Sequence, residues 1–360
     1  MRRALCIAQK GSGRVHPNPL VGAVLVRGKK VLSEGAHEFF GGPHAEVNAL
    51  RRLKKIPKDC TLVTTLEPCD HTGKTPPCTR LILEKKVRRV VIGARDPNPL
   101  VSGKGIRRLR NAGVRVVTGV LEKEAERMNL DYSQWMLKKM PYVTLKVAQS
   151  LDGKIATASG ESRWITGPQA RRFSHRLRAQ SDAVLVGVHT VLKDDPRLSA
   201  RSVRAARQPL KVILDATLKT PLTSKIFFRQ RRTTSQAPVL IFTTRRASSA
   251  RARALQKKAE VIVVREKGKG LVDLKSVLRI LGRRGIVNLL IEGGGEVIGS
   301  ALTLGVVNEA YVFVAPKIIG GVKSVNAVAG PGIRRLSDAW TFRRLEWKKI
   351  GQDFLLHGFF

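Results

Sequence analysis

A set of potential metal ligands on both sides of an apolar strand limits the folds open to this chain more than any other feature. Pro43-His44-Ala45-Glu46 precedes a helical pattern, while Glu67-Pro68-Cys69 and then Cys78 follow the apolar run 61–66. One imidazole and two thiolates give zinc three protein ligands and leave a fourth position for water, as catalytic zinc requires. Glu46 then supplies a carboxylate that moves protons at that position. The spacing predicts a catalytic zinc site with ligands His44, Cys69 and Cys78 and with Glu46 as its acid/base.

Two other interpretations of these cysteines stay open at this point. Four cysteines in 360 residues is ordinary usage, and a free cysteine is often a small buried apolar residue. A zinc site with a purely structural role is the second alternative. The presence of His44, Glu46 and Pro68 together, with an apolar strand between the two halves, favours the catalytic site. This pattern is typical of zinc-dependent hydrolytic deaminases.

The length and composition predict a globular protein of two domains. A chain of 360 residues exceeds the usual size of a single core. It is 42% hydrophobic and 26% charged, and its longest apolar runs are too short to span a bilayer. The apolar stretch near Met1 is also too short for a secretory signal. We therefore expect a protein of the reducing cytoplasm with no membrane partner, where cysteines hold metal rather than form disulfides.

The net charge of +40 suggests either an anionic partner or a generally basic surface. The basic residues occur as scattered pairs, such as Lys54-Lys55, Arg107-Arg108 and Arg283-Arg284, rather than as one tail or one helix stripe. Only 5% of the residues are aromatic, so stacking platforms for single strands are scarce. The scatter favours a basic surface over a nucleic-acid partner.

Hydrophobic periodicity predicts alternating strands and helices in both halves of the chain. Such alternation is typical of an α/β fold with helices on both faces of a sheet. In the first half we expect helices over 2–10, 45–54, 78–86, 105–112 and 122–137, a hairpin over 21–34, and strands over 61–66, 90–93 and 114–118. In the second half we expect strands over 142–147, 184–188, 212–214, 239–243, 261–264, 288–291 and 311–314, loops over 201–207 and 228–236, and a β/α alternation that runs to the end.

A glycine-rich stretch follows one of the predicted strands of the second half. Glu292-Gly293-Gly294-Gly295-Glu296 stands between the strand 288–291 and a helical pattern over 297–304. Glycines in this position let backbone N–H groups approach a phosphate. Ile298 stands where the third glycine of a dinucleotide fingerprint is expected, so the stretch is compatible with phosphate binding and with a plain tight turn.

Taken together, these residues resemble the family of bifunctional riboflavin-biosynthesis deaminase/reductases over nearly the whole chain. The resemblance implies an α/β architecture, with a cytidine-deaminase-like domain over 1–140 followed by a dihydrofolate-reductase-like domain over 141–360. The matching motifs of the first half are 17–22, 43–47, 67–69 and 76–78. Those of the second half are 150–154, 164–166, 194–198, 291–294 and 315–317.

The resemblance implies two reactions on a small phosphorylated pyrimidine. The first is zinc-dependent hydrolytic deamination of 2,5-diamino-6-(5-phosphoribosylamino)pyrimidin-4-one. The second is NADPH-dependent reduction of the ribosyl group to a ribityl side chain. The implied cofactors are Zn²⁺ and NADPH, and we expect a homo-oligomer.

The same resemblance implies a set of binding residues for each reaction. The first substrate would contact Asn18, His37, His71 and Lys74. The second would contact Ser162, Arg178, Leu198, Arg201 and Glu292. NADPH would contact Ala148, Trp164, Thr190, Asp194, Gly294, Gly295, Glu296, Val297, Ile298, Gly299 and Ser300. Solvated-loop positions for His37 and His71, and ordinary surface charge for Arg178 and Arg201, are the alternatives.

Two positions depart from the family pattern. Ala216 stands where the family usually places a hydroxyl, so one cofactor hydrogen bond is expected to be missing. His189 replaces a small residue before Thr190. Two rival functions are a polynucleotide deaminase, suggested by the charge, and a scaffold that keeps only the fold. The reductase motifs after Pro141 argue against the first, and the intact zinc motif argues against the second.

Overall fold

The structure is a computed structural model that describes residues 1–73, 75–203, 205–228, 238–268 and 270–360. It divides into two compact units, Met1–Met140 and Pro141–Phe360. Within the described ranges, none of the helices is both long and apolar enough to cross a membrane. The predicted site residue Lys74 and nearly all of the predicted loop 228–236 lie outside the described residues.

The first unit contains a mixed sheet with the strand order β2-β1-β3-β4-β5 in its described part. Strand β1 pairs antiparallel with β2 and β3, whereas β3, β4 and β5 are parallel. The strands are β1 (Gly22–Arg27), β2 (Lys30–Ala36), β3 (Cys60–Leu66), β4 (Arg89–Ala94) and β5 (Arg115–Val117). The helices are α1 (Arg2–Ala8), α2 (Ala45–Leu50), α3 (Cys78–Glu84), α4 (Lys104–Asn111), α5 (Glu122–Met128) and α6 (Leu130–Lys138).

The core of this unit fixes α2 and α3 beside the end of β3. Leu62 of β3 lies in one buried cluster with Leu50 of α2, Ile82 of α3 and Leu109 of α4. Each such side chain contributes about 1.5–3 kcal/mol by leaving water. Strand β3 ends at Leu66, and helices α2 and α3 begin at Ala45 and Cys78. Because the three elements pack together, the residues next to these positions lie near one another.

Two helices of this unit differ from the helices that the hydrophobic periodicity predicts. Helix α2 ends at Leu50, because the chain turns there and the Leu53 N–H donates to the Leu50 carbonyl at 3.3 Å. The predicted helix over 122–137 is two helices, broken at Asn129. The amide of Asn129 accepts from the Leu20 N–H at 2.7 Å and donates to the Leu20 carbonyl at 3.0 Å. This long-range pairing holds Asn129 outside helical geometry.

The second unit is built on a larger sheet whose described strands follow the order β11-β10-β9-β8-β14-β6-β15-β18-β17. Small antiparallel pairs join β7 to β16 and β12 to β13. The strands are β6 (Tyr142–Gln149), β7 (Lys154–Ala156), β8 (Ala183–Gly187), β9 (Leu210–Leu214), β10 (Val239–Thr243), β11 (Glu260–Val263), β12 (Glu266–Lys267), β13 (Leu271–Val272), β14 (Asn288–Gly293), β15 (Glu309–Val314), β16 (Val325–Asn326), β17 (Arg344–Ile350) and β18 (Asp353–Phe359). The helices are α7 (Pro168–Gln180), α8 (Val188–Asp194), α9 (Ser249–Gln256), α10 (Leu274–Arg283) and α11 (Gly295–Thr303).

The expectation that a β/α alternation runs to the end of the chain is wrong. Strands β17 and β18 form an antiparallel hairpin, and β18 pairs antiparallel with β15. The segment 344–348 does alternate between polar and apolar residues, but nearly every residue of β17 is exposed, so this alternation belongs to a hairpin strand without a buried face. In β18, Leu355 is buried with Phe313 of β15 and Ala170, and the Asp353 carboxylate accepts from the Gly167 N–H at 2.8 Å.

The centre of this sheet brings three parallel strand ends to one edge. Strand β14 pairs in parallel with β6 and with β8. Open sheets of parallel strands bind ligands at the carboxyl ends of the strands. The residues that follow β8 and β14, together with the end of β6, therefore lie where a ligand is expected.

Candidate active sites

The three predicted metal ligands of the first unit converge. His44 is the residue before α2, Cys69 follows β3, and Cys78 opens α3. His44 Nδ1 lies 3.2 Å from Cys78 Sγ and 3.5 Å from Cys69 Sγ. The three ligand atoms all lie within 4.8 Å of one another. They come from separate segments that the core of the unit brings together.

This donor set fits a zinc ion. Zinc binds thiolate sulfur at about 2.3 Å and imidazole nitrogen at about 2.0 Å, so ligands of one ion lie within about 4 Å of each other. The distances between His44 Nδ1 and the two sulfurs are of this size. Hydrogen bonding from Cys78 and from His44 lowers the pKa of Cys69, whereas the same hydrogen bond, together with burial, raises the pKa of Cys78. A bound metal ion favours the thiolate form of both. Three protein ligands leave one position for a reacting group.

Glu46 lies beside this cluster in the first turn of α2. Its side chain is buried, with 3% of the residue exposed, and Oε2 lies 3.5 Å from Cys78 Sγ. Burial raises the pKa of Glu46 to about 7, although the His44 imidazole acts in the opposite direction. A carboxyl group whose pKa lies near neutrality both accepts and releases a proton with little cost, which suits an acid/base.

His37 and Asn18 adjoin the metal ligands through a fixed pattern of hydrogen bonds. His37 is buried, with its ring centroid 5.4 Å from that of His44. Its Nδ1 lies 3.0 Å from the Pro43 carbonyl oxygen, which only accepts, so Nδ1 carries the proton. Burial lowers the pKa of His37 and keeps the ring neutral. Nε2 therefore accepts from the Asn18 amide nitrogen, 3.0 Å away.

The loop between the two cysteines carries the remaining predicted contacts. His71 is exposed on this loop, and Lys74 lies outside the described residues. Thr75 was not predicted, yet its Oγ1 lies 3.3 Å from His44 Nε2. A hydroxyl three residues before the second cysteine is a weak sequence signal, because threonine is common in loops.

Glu67 supports the segment that carries Cys69 and was also not predicted. Its carboxylate accepts from the N–H groups of Gly103 at 2.9 Å and of Ile106 at 3.1 Å, across the start of α4. Gly105 lies in the same turn, and a Cβ added there would lie 1.9 Å from the Pro68 carbonyl oxygen. The segment 67–69 thus rests directly on the backbone of α4.

We expect Gly105→Ala to lower the zinc affinity, because the new methyl group must displace Pro68 and with it Cys69. Overpacking of this kind costs about 1–3 kcal/mol of stability. Competition with a chromophoric chelator measures the affinity. The control is Gly73→Ala in the cysteine loop, where the nearest heavy atom to the new Cβ would lie 3.7 Å away. Equal zinc affinity in the two variants would contradict the expectation.

The second unit has a cavity of 1260 Å³ at the carboxyl ends of its central strands. All the substrate and cofactor residues predicted for this unit line the cavity except Gly299. A Cβ on Gly299 would lie 1.8 Å from the Ala329 carbonyl oxygen, so this glycine serves the packing of α11. The volume exceeds the range of about 300–1,000 Å³ typical of one drug-sized ligand and suits a dinucleotide together with a substrate.

The glycine-rich turn borders this cavity and opens α11. Gly294 has a φ of +81°, a conformation that favours glycine, and α11 begins at Gly295. A Cβ on Gly293 would lie 3.2 Å from Thr190 Oγ1. Because the turn has no side chains here, its backbone lies close to Thr190 and leads straight into the first turn of α11. This arrangement leaves room for a phosphate at the N-terminus of the helix. These features fit a bound dinucleotide.

A buried ion cluster lies on the substrate side of the cavity. Arg178 donates to both carboxylate oxygens of Glu292, at 2.5 and 2.7 Å, and to the Ser199 carbonyl at 3.3 Å. Lys146 Nζ lies 3.9 Å from Glu292 Oε2. Burial acts to raise the pKa of Glu292, but the opposite effect of Arg178 and Lys146 is larger. The pKa of Glu292 is therefore lowered from its ordinary value. Because three of its five N–H donors serve Glu292 and Ser199, Arg178 has fewer donors left for a substrate phosphate than the sequence suggested.

Arg201 is better placed for an anion. Desolvation and the nearby guanidinium groups of Arg178, Arg197 and Arg163 lower its pKa. A cluster of like charges attracts a phosphate, which relieves their repulsion. Also in the lining of the cavity, Ser162 donates to Asp194 at 2.6 Å, and Arg171 stacks on the ring of Trp164 with 4.3 Å between Cζ and the ring centroid.

These features and two family models define the class of protein: a zinc-binding deaminase unit followed along the chain by a reductase unit. The model of the cytidine and deoxycytidylate deaminase zinc-binding region matches residues 1–94. The model of the RibD C-terminal domain matches residues 141–356. The chain belongs to the RibD family of riboflavin biosynthesis proteins.

Similar proteins cover almost the whole chain. The riboflavin biosynthesis protein RibD of Aquifex aeolicus is 42% identical over 356 residues, which are 99% of this chain and 96% of that protein. RibD of Escherichia coli is 39% identical and covers 99% and 97%. A crystal structure from Thermotoga maritima, named as a diaminohydroxyphosphoribosylaminopyrimidine deaminase/5-amino-6-(5-phosphoribosylamino)uracil reductase, is 38% identical with a TM-score of 0.85 and covers 100% and 97%.

These comparisons confirm the predicted family, fold class, general function and cofactors. The chain is a deaminase and reductase of riboflavin biosynthesis that uses zinc and NADPH. Its N-terminal fold is cytidine-deaminase-like, and its C-terminal fold is the RibD reductase fold, which is dihydrofolate-reductase-like.

Proposed function

We propose that the unit 1–140 deaminates 2,5-diamino-6-(5-phosphoribosylamino)pyrimidin-4-one and that the unit 141–360 then reduces the ribosyl group of the product to ribityl. The observation that carries the proposal is the convergence of His44, Cys69 and Cys78 beside the buried carboxyl group of Glu46. The substrate follows from the name of the Thermotoga maritima protein, which is similar along its whole length.

In the first reaction the chain supplies the ligands and the proton carrier. His44, Cys69 and Cys78 would hold zinc, whose Lewis-acid chemistry makes water nucleophilic at neutral pH. Glu46 accepts the proton of the attacking water and returns it to the ring and to the departing amino group. Its burial supports this role, because a pKa of about 7 lets the carboxyl group change protonation state during each turnover.

Substrate binding in the first unit would use the groups around His37. The neutral His37 ring orients the Asn18 amide, because its Nε2 accepts from the amide nitrogen. The Asn18 carbonyl oxygen is then the group that remains to accept from a donor on the pyrimidine ring. His71 and Lys74 belong to the segment between the cysteines, and we assign them to the phosphorylated arm because both residue types offer N–H donors to a phosphate.

In the second reaction the chain orients two partners in one cavity. NADPH supplies the hydride when it is bound. The segment from Gly294 to Ser300, with Ala148, Trp164, Thr190 and Asp194, would hold the cofactor. Arg201 would bind the substrate phosphate, while Ser162 and Leu198 line the substrate side. Glu292 would accept from ribosyl hydroxyls, and its pairing with Arg178 and Lys146 keeps it ionised.

Separate measurement of the two half-reactions tests this assignment. We expect the zinc-loaded protein to release one ammonia per diaminopyrimidinone phosphoriboside without NADPH. Oxidation of NADPH, followed by its absorbance, should then require the deaminated product. Oxidation of NADPH without release of ammonia would reverse the proposed order. A salt-dependent shift of RNA in a gel, without turnover of the nucleotide, would favour a polynucleotide deaminase instead.

We expect Ala216→Ser to tighten NADPH binding, because it restores a hydroxyl at a position that lines the cavity. One ordinary hydrogen bond contributes about 0.5–1.5 kcal/mol, which corresponds to a KM for NADPH lower by about 2- to 10-fold. The rate of ammonia release is the internal control and should not change. A KM that stays the same would mean that this side chain does not reach the cofactor.

The remaining partners are part of the same proposal. We assign the protein to the cytoplasm and propose small phosphorylated molecules, not nucleic acids, as its ligands despite the net charge of +40. A homo-oligomer is supported by large apolar side chains exposed on the terminal hairpin: Leu345, Trp347 and Phe354 are 50%, 71% and 43% exposed. Contiguous exposed apolar groups are typical of subunit contacts.

A further inference from the structure

Thr75 lies on the far side of His44 from the two cysteines. Its hydroxyl oxygen is 3.3 Å from His44 Nε2, while Nδ1 of the same ring faces Cys78 and Cys69. Thr75 is half-buried, and its carbonyl accepts from the Gly73 N–H at 3.3 Å. The two ring nitrogens of His44 thus have different surroundings.

These surroundings determine which nitrogen carries the proton when a metal is bound. A metal ligand must offer a lone pair, so Nδ1, which faces the sulfurs, must be unprotonated. The proton of the neutral ring then lies on Nε2, which becomes a donor. The Thr75 hydroxyl oxygen is an acceptor at hydrogen-bond distance from that donor.

Other polar groups near His44 are engaged elsewhere in the described part of the chain. Glu46 Oε2 lies against Cys78 Sγ. The two ring nitrogens of His37 lie against the Pro43 carbonyl and the Asn18 amide. Among the described residues, Thr75 supplies the polar side chain that lies at hydrogen-bond distance from His44 Nε2.

We propose that Thr75 is a positioning residue that holds His44 in the tautomer and ring orientation needed to bind zinc through Nδ1. The inference rests on the proposed zinc ligands and adds a determinant of their affinity. Partners that accept from the second nitrogen of a ligating histidine typically change metal affinity by about 10- to 100-fold when they are removed. In this role Thr75 acts through His44 and is not itself a ligand of the metal.

The test compares Thr75→Val, which keeps the shape but removes the acceptor, with Thr75→Ser, which keeps the hydroxyl. Zinc dissociation constants come from competition with a chromophoric chelator. We expect about 10- to 100-fold weaker binding for Thr75→Val and a change below about 3-fold for Thr75→Ser. The matched control is Thr72→Val at an exposed position of the same loop, which should bind zinc like the unchanged protein.

A spectroscopic measurement separates the hydrogen bond from a general loosening of the loop. In zinc-loaded protein with ¹⁵N-labelled histidine, the Nε2–H proton of His44 should exchange slowly with solvent, and faster in Thr75→Val. Equal affinity losses in the Ser and Val variants, or unchanged exchange, would overturn the proposal. If Thr75→Val does not fold, Thr75→Ala replaces it, because it removes the hydroxyl and adds no atom.

The outcomes also distinguish this inference from the proposed function. Tight zinc binding that survives His44→Ala would show that the ligand assignment itself is wrong. Tight binding that depends on His44 but not on the Thr75 hydroxyl would overturn only the role of Thr75.

Discussion

Glu46→Gln is expected to keep a full equivalent of zinc and to lose deamination. The substitution removes the proton carrier at the buried site and changes none of the three ligands. A positioned acid/base contributes about 10²- to 10⁴-fold, so kcat for ammonia release should fall by a factor in that range. Elemental analysis measures the zinc content, and a coupled assay measures the ammonia.

Two comparisons make the result of Glu46→Gln specific. Glu38→Gln, at an exposed position a few residues earlier, should leave zinc content and both activities unchanged. Reduction of supplied deaminated product should also be unaffected by Glu46→Gln, because Glu46 is not among the residues proposed to bind the substrate or NADPH of that reaction. Deamination that continues at the normal rate would remove Glu46 from the mechanism.

Glu292→Gln should abolish most of the reduction and destabilise the second unit while ammonia release continues. Glu292 has 3% of its side chain exposed and accepts two hydrogen bonds from Arg178. Its replacement leaves the charges of Arg178 and Lys146 buried without their carboxylate. Breaking a buried pair in this way costs about 3–5 kcal/mol. Because the pKa of Glu292 is lowered in the folded state, this stabilisation is present at neutral pH and is lost as the pH falls through that pKa.

The surface of the same unit offers a matched pair for comparison. Glu260 accepts from both terminal nitrogens of Arg284, at 2.6 and 2.7 Å, with 56% of its side chain exposed. Glu260→Gln should cost only about 0–1 kcal/mol, because water screens the pair and replaces it. Chemical denaturation followed by a probe of the second unit measures both variants. An equal loss of the free energy of unfolding in Glu292→Gln and Glu260→Gln would contradict a stabilising role for the buried ion cluster. Loss of both activities in Glu292→Gln would contradict the assignment of Glu292 to the reduction alone.

Local patterns were sufficient for most of the fold. Apolar strands such as 61–66 and 239–243 are nearly continuous in sequence, because both faces of a central strand are covered. Such patterns predicted the core strands of both units to within a few residues. The spacing of His44, Cys69 and Cys78 likewise selected three side chains that the structure brings within 4.8 Å.

Elements with a short local signal or none were not predicted. The exposed strand Arg344–Ile350 alternates between polar and apolar residues over only five positions, and the break at Asn129 depends on its hydrogen bonds to Leu20, more than one hundred residues away. The contact between Thr75 and His44 and the support of the Cys69 segment by Glu67 are also long-range. Threonine is common in loops, and Glu67 stood out only as part of the segment Glu67-Pro68-Cys69, so the sequence did not indicate what either side chain contacts.

By itself, the sequence determined the chemistry that this chain carries: a nitrogen and two sulfurs for a metal, a carboxylate beside them, and a glycine turn after an apolar strand. Tertiary structure alone decided how those groups are used. It buried Glu46, which raises its pKa to about 7, paired Arg178 with Glu292, and placed Gly299 close to the Ala329 carbonyl oxygen in the packing of α11. The physical reason is that residue type fixes which bonds a group can form, whereas burial and the partners that packing supplies fix its protonation state and its free donors.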